Sequence, residues 1–325
     1  MKNHPNLTQQ AVNSRDTLQR FVFENTPVRG NLVNLTQTFQ LALNQQKLPK
    51  GLRCALGELM AASALLAATL KMNGALVLQI QSKGALNLLV VECNSDVGSA
   101  LKIRATAKWN GDISDDQTLF DLIKQGQLVI TLDSKDGQTY QGIVPLEGES
   151  ISGLLENYMM RSEQIDTKIW LCCDGESAAG MLIQKLPETM HQVTQAQDNI
   201  AQDLGAKILE PYLETWNRVG HLASTVTNDE LLNLPAETIL TRLFNEEDVR
   251  IFEPSTIQFY CSCSRESVSN MLRMLGNDEL LSIIEERGNI EVNCDFCNKH
   301  YAFDQVDAAQ LMATEASVIA SPKLH

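Results

Sequence analysis

Two close pairs of cysteines, Cys261-Ser262-Cys263 and Cys294-Asp295-Phe296-Cys297, fall within 37 residues near the C-terminus. With 8 cysteines in 325 residues, an even spread would put about one in that window, so the clustering asks for a chemical cause. A zinc ion supplies one, because a structural site takes four soft thiolates in a tetrahedron and two close pairs brought together by folding provide them. In an extended segment residues i and i+2 project to the same face, so Cys261 and Cys263 can reach one ion from a strand end. Cys294 and Cys297 suit a tight turn.

The 30 residues between the pairs read as two short helices. One opens at Ser264, with Glu266 and Val268 behind it, and the other at Asn277-Asp278 ahead of Leu280, Leu281, Ile283 and Ile284. Gly276 and Gly288 punctuate them. A static zinc ribbon fits this text, as do unrelated buried thiols and a zinc-linked redox switch. His300 stands near enough to be a substitute ligand, but four cysteines already close the shell.

Composition narrows the field. The formal charge of −14, from 26 basic and 40 acidic residues, argues against a nucleic-acid partner, since phosphate binding needs a basic face. Met1 to Ser14 is polar and has no apolar run of the kind a secretory signal needs. The longest greasy stretch, Leu59 to Leu70, is too short for a bilayer and is bordered by Glu58 and Lys71. The expectation is a soluble, cytoplasmic protein with no membrane partner, in a compartment where cysteine clusters mean metal or redox chemistry.

Three regions follow one another after a flexible extension at 1–15. Residues 16–186 mix helix and strand: Leu52 to Leu70, rich in leucine and alanine, suggests a closely packed buried helix. Strand candidates are Ala75 to Gln81, Leu86 to Glu92, Ala100 to Trp109, Gln127 to Leu132 and Thr139 to Val144, with Asp136-Gly137 as a hairpin turn. A helix at Ser150 to Met160 and strands at Lys168 to Cys173 and Ala178 to Gln184 complete an α+β fold with a mixed α/β core domain. Residues 187–250 have no strand pattern and carry 11 acidic against 4 basic residues, half the net charge in a fifth of the length. Leu204, Ile208, Tyr212 and Leu213 mark one helical face there; Leu231, Leu232, Leu234, Ile239, Leu240 and Leu243 mark another. Packed helices are its expected resting state, in a linker charged enough to be metastable. Residues 251–325 form a small C-terminal zinc-binding domain with four cysteine ligands.

Beyond the cysteines, the chain resembles one family, the 33 kDa chaperonins, which are redox-regulated holdase chaperones of the heat-shock class. Phe259-Tyr260-Cys261-Ser262-Cys263-Ser264-Arg265-Glu266 and Val292 to Tyr301 look like that family's two zinc-ligand blocks. Arg20 to Asn25 running into Val28-Arg29-Gly30 looks like its opening motif, and Leu155 to Gln164 like its central one. The resemblance implies an ATP-independent chaperone, not an enzyme, held inactive by one Zn2+ on Cys261, Cys263, Cys294 and Cys297. It implies that oxidation with mild unfolding expels the metal, forms the disulfides Cys261–Cys263 and Cys294–Cys297, and unfolds module and linker. The surface so exposed would hold unfolding client proteins under stress, and a homodimer of the oxidised form is a further expectation.

Physical chemistry makes such a switch steep. A module of roughly 60 residues draws no more than about 3–5 kcal/mol from its own core, whereas structural zinc contributes about 10–16 kcal/mol of apparent folding energy. Zinc has no redox chemistry, so an oxidant must act on the thiolates, and each one lost to a disulfide is a ligand removed. Within the implied pairing, a strand-like C-x-C spans roughly twice the 3.3 Å rise, near the top of the separation a disulfide accepts, so Cys294–Cys297 is expected to close first.

Other features read as structural. Glu24, Arg29, Arg161 and Glu163 are expected to fix strand and helix ends, since no His or Cys nucleophile accompanies them. The vicinal Cys172-Cys173 pair, on a strand, should put one thiol in the core and the other on the surface. It lies outside the four-cysteine pattern, and with Cys54 and Cys93 it receives no role. Two rival classes remain. A thiol-disulfide oxidoreductase using Cys294 and Cys297 would want its C-x-x-C at a helix N-terminus in a βαβ setting, whereas here the flanking text is strand-like. A zinc-ribbon module for nucleic acid conflicts with the charge.

Overall fold

The structure is a computed structural model that describes residues 15–69, 73–95, 100–135, 137–187 and 214–311. The chain divides into two compact units, Met1–Phe259 and Tyr260–His325. The expected extension at 1–15 lies, Arg15 apart, outside the described residues, as do Asp136, Leu204, Ile208, Tyr212 and Leu213.

In the large unit β1 (Thr17–Phe23) and β2 (Val28–Leu35) lead into α1 (Gln37–Leu43) and α2 (Lys50–Thr69). Then come β3 (Gly74–Ser82), β4 (Leu86–Ser95), β5 (Leu101–Trp109), a short α3 (Leu119–Leu122), β6 (Gly126–Ser134) and β7 (Tyr140–Pro145). Helix α4 (Ile151–Tyr158) precedes β8 (Asp166–Cys173) and β9 (Ala178–Lys185). Helical residues 214–223, α5 (Asn228–Asn233), α6 (Ala236–Phe244), β10 (Val249–Ile251) and β11 (Ser255–Phe259) close the unit. The strands join in one 11-stranded sheet, ordered β7-β6-β3-β4-β5-β11-β1-β2-β9-β8 with β10 also beside β1. Pairing is antiparallel except between β11 and β5. All seven strands expected from alternation are present, and the α+β class stands.

Helix α2 is the hub. Leu52, Leu56, Leu59, Met60 and Leu65 are fully buried, and the helix packs on β4 and β5 as well as on β2, β8 and β9. Its small residues permit this close approach: a side chain at Gly57 would come within 2.7 Å of the Phe39 ring and 2.8 Å of Cys173 Sγ. By length and composition α2 could cross a membrane, yet 72% of that stretch is buried inside the unit, as in a core helix.

The opposite face of β1, β2, β8 and β9 is covered by the helices over 214–244. Trp216, Val219, Leu231, Ile239, Leu240 and Phe244 form a second core there with Phe21, Phe23, Val28, Leu32, Met181 and Ile183. Phe21 and Phe23 meet Phe244 with ring centroids 6.2 and 5.0 Å apart. The leucines and the isoleucine of the expected face are indeed buried or half-buried, but on two helices broken at Leu234-Pro235.

Two expectations are corrected. Cys172 is buried under the 214–244 helices as the core thiol, and Cys173, on the other face, is half-covered by α2 rather than open to solvent, because the sheet is packed on both sides. The expected boundaries at 186/187 and 250/251 are not divisions between units. Residues 214–250 share a core with the sheet, and β10 and β11 extend it, with Ile257 buried beside β5, which moves the division to Phe259/Tyr260.

Candidate metal centre

The small unit is built around the four cysteines. Helix α7 (Arg265–Leu275) opens at Ser264, whose hydroxyl accepts the Ser267 N–H at 3.0 Å. Gly276 (φ 88°) ends it, and α8 (Asn277–Arg287) ends at Gly288 (φ 79°), the left-handed conformation glycine adopts without a Cβ penalty. Strands β12 (Ile290–Asn293) and β13 (His300–Phe303) then form an antiparallel hairpin. The described core is small: Val268, Leu272, Leu280, Ile290, Tyr301, Phe303, Ala308 and Leu311.

The hairpin loop carries Cys294 and Cys297. It is closed by Asn298 N–H to Cys294 O (2.8 Å) and Cys294 N–H to Lys299 O (3.0 Å), with Asn298 left-handed at φ 56°. Cys261 and Cys263 sit in the segment without regular secondary structure between β11 and α7. All four Sγ atoms lie within 4.8 Å of one another. Between the pairs, Cys261 Sγ is 3.6 Å from Cys294 Sγ and Cys263 Sγ is 3.3 Å from Cys297 Sγ. Four sulfurs tetrahedrally bonded to zinc at about 2.3 Å would sit about 3.8 Å apart, close enough to this arrangement for the donor set to fit that ion with small side-chain shifts. The four sequence-predicted ligands are thus brought together, and they could hold a metal ion. His300 is not among them; its Nδ1 is 3.0 Å from Asn293 Oδ1.

Tyr301 was not foreseen. Its hydroxyl donates to Cys263 Sγ at 3.2 Å. The signal was available in the alternation of β13, where Tyr301 and Phe303 both point inward. Burial resists ionisation of Cys263, but hydrogen bonds from Tyr301 and the other three thiols bring its pKa down to about 7. Burial, reinforced by those neighbours, pushes Cys297 up to about 12 and also raises Cys261. Crowding therefore leaves one thiol acidic at the expense of others, as expected for sulfurs competing for one negative charge.

The charged residues outside this unit hold structure together. Glu24 pairs with Arg250 at 2.7 Å, tying β1 to β10. Arg29 donates to Gln184 Oε1 from Nε (3.1 Å) and Nη2 (2.8 Å) across the β2–β9 pair. Glu163 accepts the Tyr158 hydroxyl at 2.7 Å, pinning the end of the helical segment after α4; Arg161 is exposed.

The Hsp33 protein family model matches residues 16–304. A 33 kDa chaperonin of Methylobacillus flagellatus is 56% identical over 302 residues, covering 92% of this chain and 95% of the relative. One from Chromobacterium violaceum is 46% identical over 316 residues, covering 97% and 99%. The crystal structure of the 33 kDa chaperonin from Thermotoga maritima superposes with a TM-score of 0.74 at 20% identity, covering 93% of this chain and all of that one, a likeness of fold. With the family model spanning both units and all four clustered cysteines, the chain belongs to the Hsp33 family of chaperones.

Proposed function

We propose that this chaperone is a redox-regulated, ATP-independent holdase, with Cys261, Cys263, Cys294 and Cys297 as both its Zn2+ site and its sensor. The observation that carries the reading is the convergence of four thiols within 4.8 Å in a unit whose described core has only eight buried apolar side chains. Such a core is worth about 3–5 kcal/mol, so zinc, which when bound contributes about 10–16 kcal/mol, decides whether the unit is folded. Oxidation to Cys294–Cys297 and then Cys261–Cys263 removes the ligands. A C-x-x-C in a hairpin loop needs less distortion to close than a C-x-C with one intervening residue, which accounts for the order.

The client surface in this reading is the apolar face of β1, β2, β8 and β9 beneath the helices over 214–244, presented once those acidic helices detach. Phe21, Phe23, Val28, Leu32, Met181 and Ile183 make a contiguous patch of the kind that captures unfolding chains. A C-x-x-C in a hairpin loop lacks the helix N-terminus that a thiol-disulfide oxidoreductase uses, which favours the chaperone over the enzyme. The cytoplasm, where thiols start reduced, suits a sensor of this kind.

The test is aggregation of a urea-unfolded client diluted into reduced, zinc-loaded protein or into peroxide-treated protein, without nucleotide. Suppression by the oxidised form alone is expected, with thiol trapping detecting Cys294–Cys297 before Cys261–Cys263. Equal suppression by both forms would overturn redox control. Links of Cys261 to Cys294 or Cys263 to Cys297, which lie 3.6 and 3.3 Å apart with the thiols free, would overturn the pairing.

A further inference from the structure

A second pair of thiols lies in the large unit, at the contact between α2 and the end of β8. The Cys54 thiol donates to the carbonyl oxygen of Cys173 at 3.8 Å, and the two thiols are near enough to shift each other's ionisation. The fit is built: Cys173 Sγ occupies the notch left by Gly57, one helical turn from Cys54 and 2.8 Å from where a side chain at position 57 would begin. The strand end is held there by Gly175, whose N–H donates to Cys173 Sγ (3.3 Å) and whose carbonyl accepts from Arg53 Nε (2.5 Å). Both residues are only partly buried, whereas Cys93 and Cys172 are buried.

We propose that Cys54 and Cys173 are a second redox centre, which a peroxide converts to a disulfide joining α2 to β8, independently of the four-cysteine cluster. Cys54 attacks one peroxide oxygen; the O–O bond breaks, the departing oxygen takes up a proton to leave as water, and Cys54 becomes a sulfenic acid. The sulfur of Cys173 displaces that hydroxyl, which leaves as a second water with the proton of Cys173, and the S–S bond forms. Two thiols are oxidised and one peroxide is reduced to two waters.

The assignment of roles follows the surroundings. The neighbouring side chain of Cys173, and to a lesser extent Lys50 one turn earlier on α2, favour the thiolate of Cys54, while the thiol of Cys173 is held protonated. Attack by the more acidic thiol and resolution by its neighbour is the order such a pair imposes. A link between positions separated by 119 residues constrains the unfolded chain strongly, so oxidation should stabilise the scaffold from which the helices over 214–244 are to detach.

The experiment treats full-length, reduced, zinc-loaded protein with hydrogen peroxide, with glutathione in the same tube as a reference thiol. Non-reducing digestion and mass spectrometry should find the Cys54 and Cys173 peptides joined. In Cys173→Ser the sulfenic acid has no resolving partner, so capture of Cys54 by dimedone should rise at least fivefold over wild type. Cys54→Ser should lose the joined peptide yet release zinc at the wild-type rate, read with a chelating dye. Both thiols still free when the glutathione is fully oxidised would overturn the proposal, as would unchanged dimedone capture in Cys173→Ser. Zinc release in the same samples reports on the four-cysteine site separately, so either reading can fail without the other.

Discussion

The hydrogen bond from Tyr301 to Cys263 gives one of four equivalent-looking cysteines a distinct chemistry. Removing it in Tyr301→Phe should raise the Cys263 pKa from about 7 towards the ordinary thiol range. In metal-free protein at pH 7 a rise of about one unit leaves roughly a fifth of the former thiolate, so alkylation of Cys263 should slow about fivefold. An unchanged rate would mean that the other thiols suffice. Metal binding adds a pH dependence. The loaded site takes thiolates, whereas in the empty site Cys261 and Cys297 hold their protons above the usual pKa, Cys297 to about 12. At pH 8 loading must displace at least those two protons, so affinity should rise by about two decades per pH unit. The sign is that of groups whose pKa is depressed in the loaded, folded state: stabilisation is full above the unfolded thiol pKa and is lost as pH falls. Chelator competition at pH 6.5, 7.5 and 8.5 measures the slope, and a flat profile would exclude a thiolate site. At this scale the four ligands were legible because their type and spacing leave few other uses. Tyr301 and the Cys54–Cys173 contact were not, since each depends on tertiary neighbours: the one on a partner 38 residues away, the other on a helix–strand contact.

Among the elements, the helices over 214–244 are the informative ones. Leu240 is 2% exposed and sits among Phe21, Phe23 and Phe244 in the second core. Truncation in Leu240→Ala should cost about 2–4 kcal/mol through lost burial and a residual cavity. In an acidic segment with two short helices, that is enough to loosen the layer locally before the sheet beneath it. The expected result is protease cleavage within 214–250 in the reduced variant, at sites the wild type exposes only after oxidation. Digestion identical to wild type would mark the layer as a rigid part of the scaffold. The sequence pattern had located α5 and α6, as it located β3 to β9, although β9 is buried through seven consecutive residues. It missed β2, which is also buried between two layers but whose apolar text is broken by Arg29, Asn31 and Asn34. It failed also for β11, five residues long, whose parallel partner β5 lies about 150 residues earlier in the chain.

At the scale of the whole molecule, the two units are stabilised differently. The large one has two extensive hydrophobic cores about a single sheet; the described residues of the small one hold eight buried apolar side chains and a thiol cluster. Composition announced that contrast through the crowding of cysteines. The division at Phe259/Tyr260 was hidden, because β10 and β11 join the sheet only through long-range pairing. The contrast separates metal loss from oxidation. Stripping zinc with a chelator under full reduction removes about 10–16 kcal/mol of folding energy from a unit whose core supplies about 3–5 kcal/mol. Amides in α7, α8 and the β12–β13 hairpin should then exchange at nearly unfolded rates. Amides of β2 and β9, in the middle of the large unit's cores, should keep their protection. Hydrogen exchange followed by mass spectrometry reads both regions in one experiment. Retained protection in the hairpin would mean that the small unit folds without metal, leaving the thiols as a sensor but not as the source of its stability. Loss of protection in β2 and β9 as well would mean that the whole chain unfolds as one cooperative body, and that no switch confined to the cysteine unit operates.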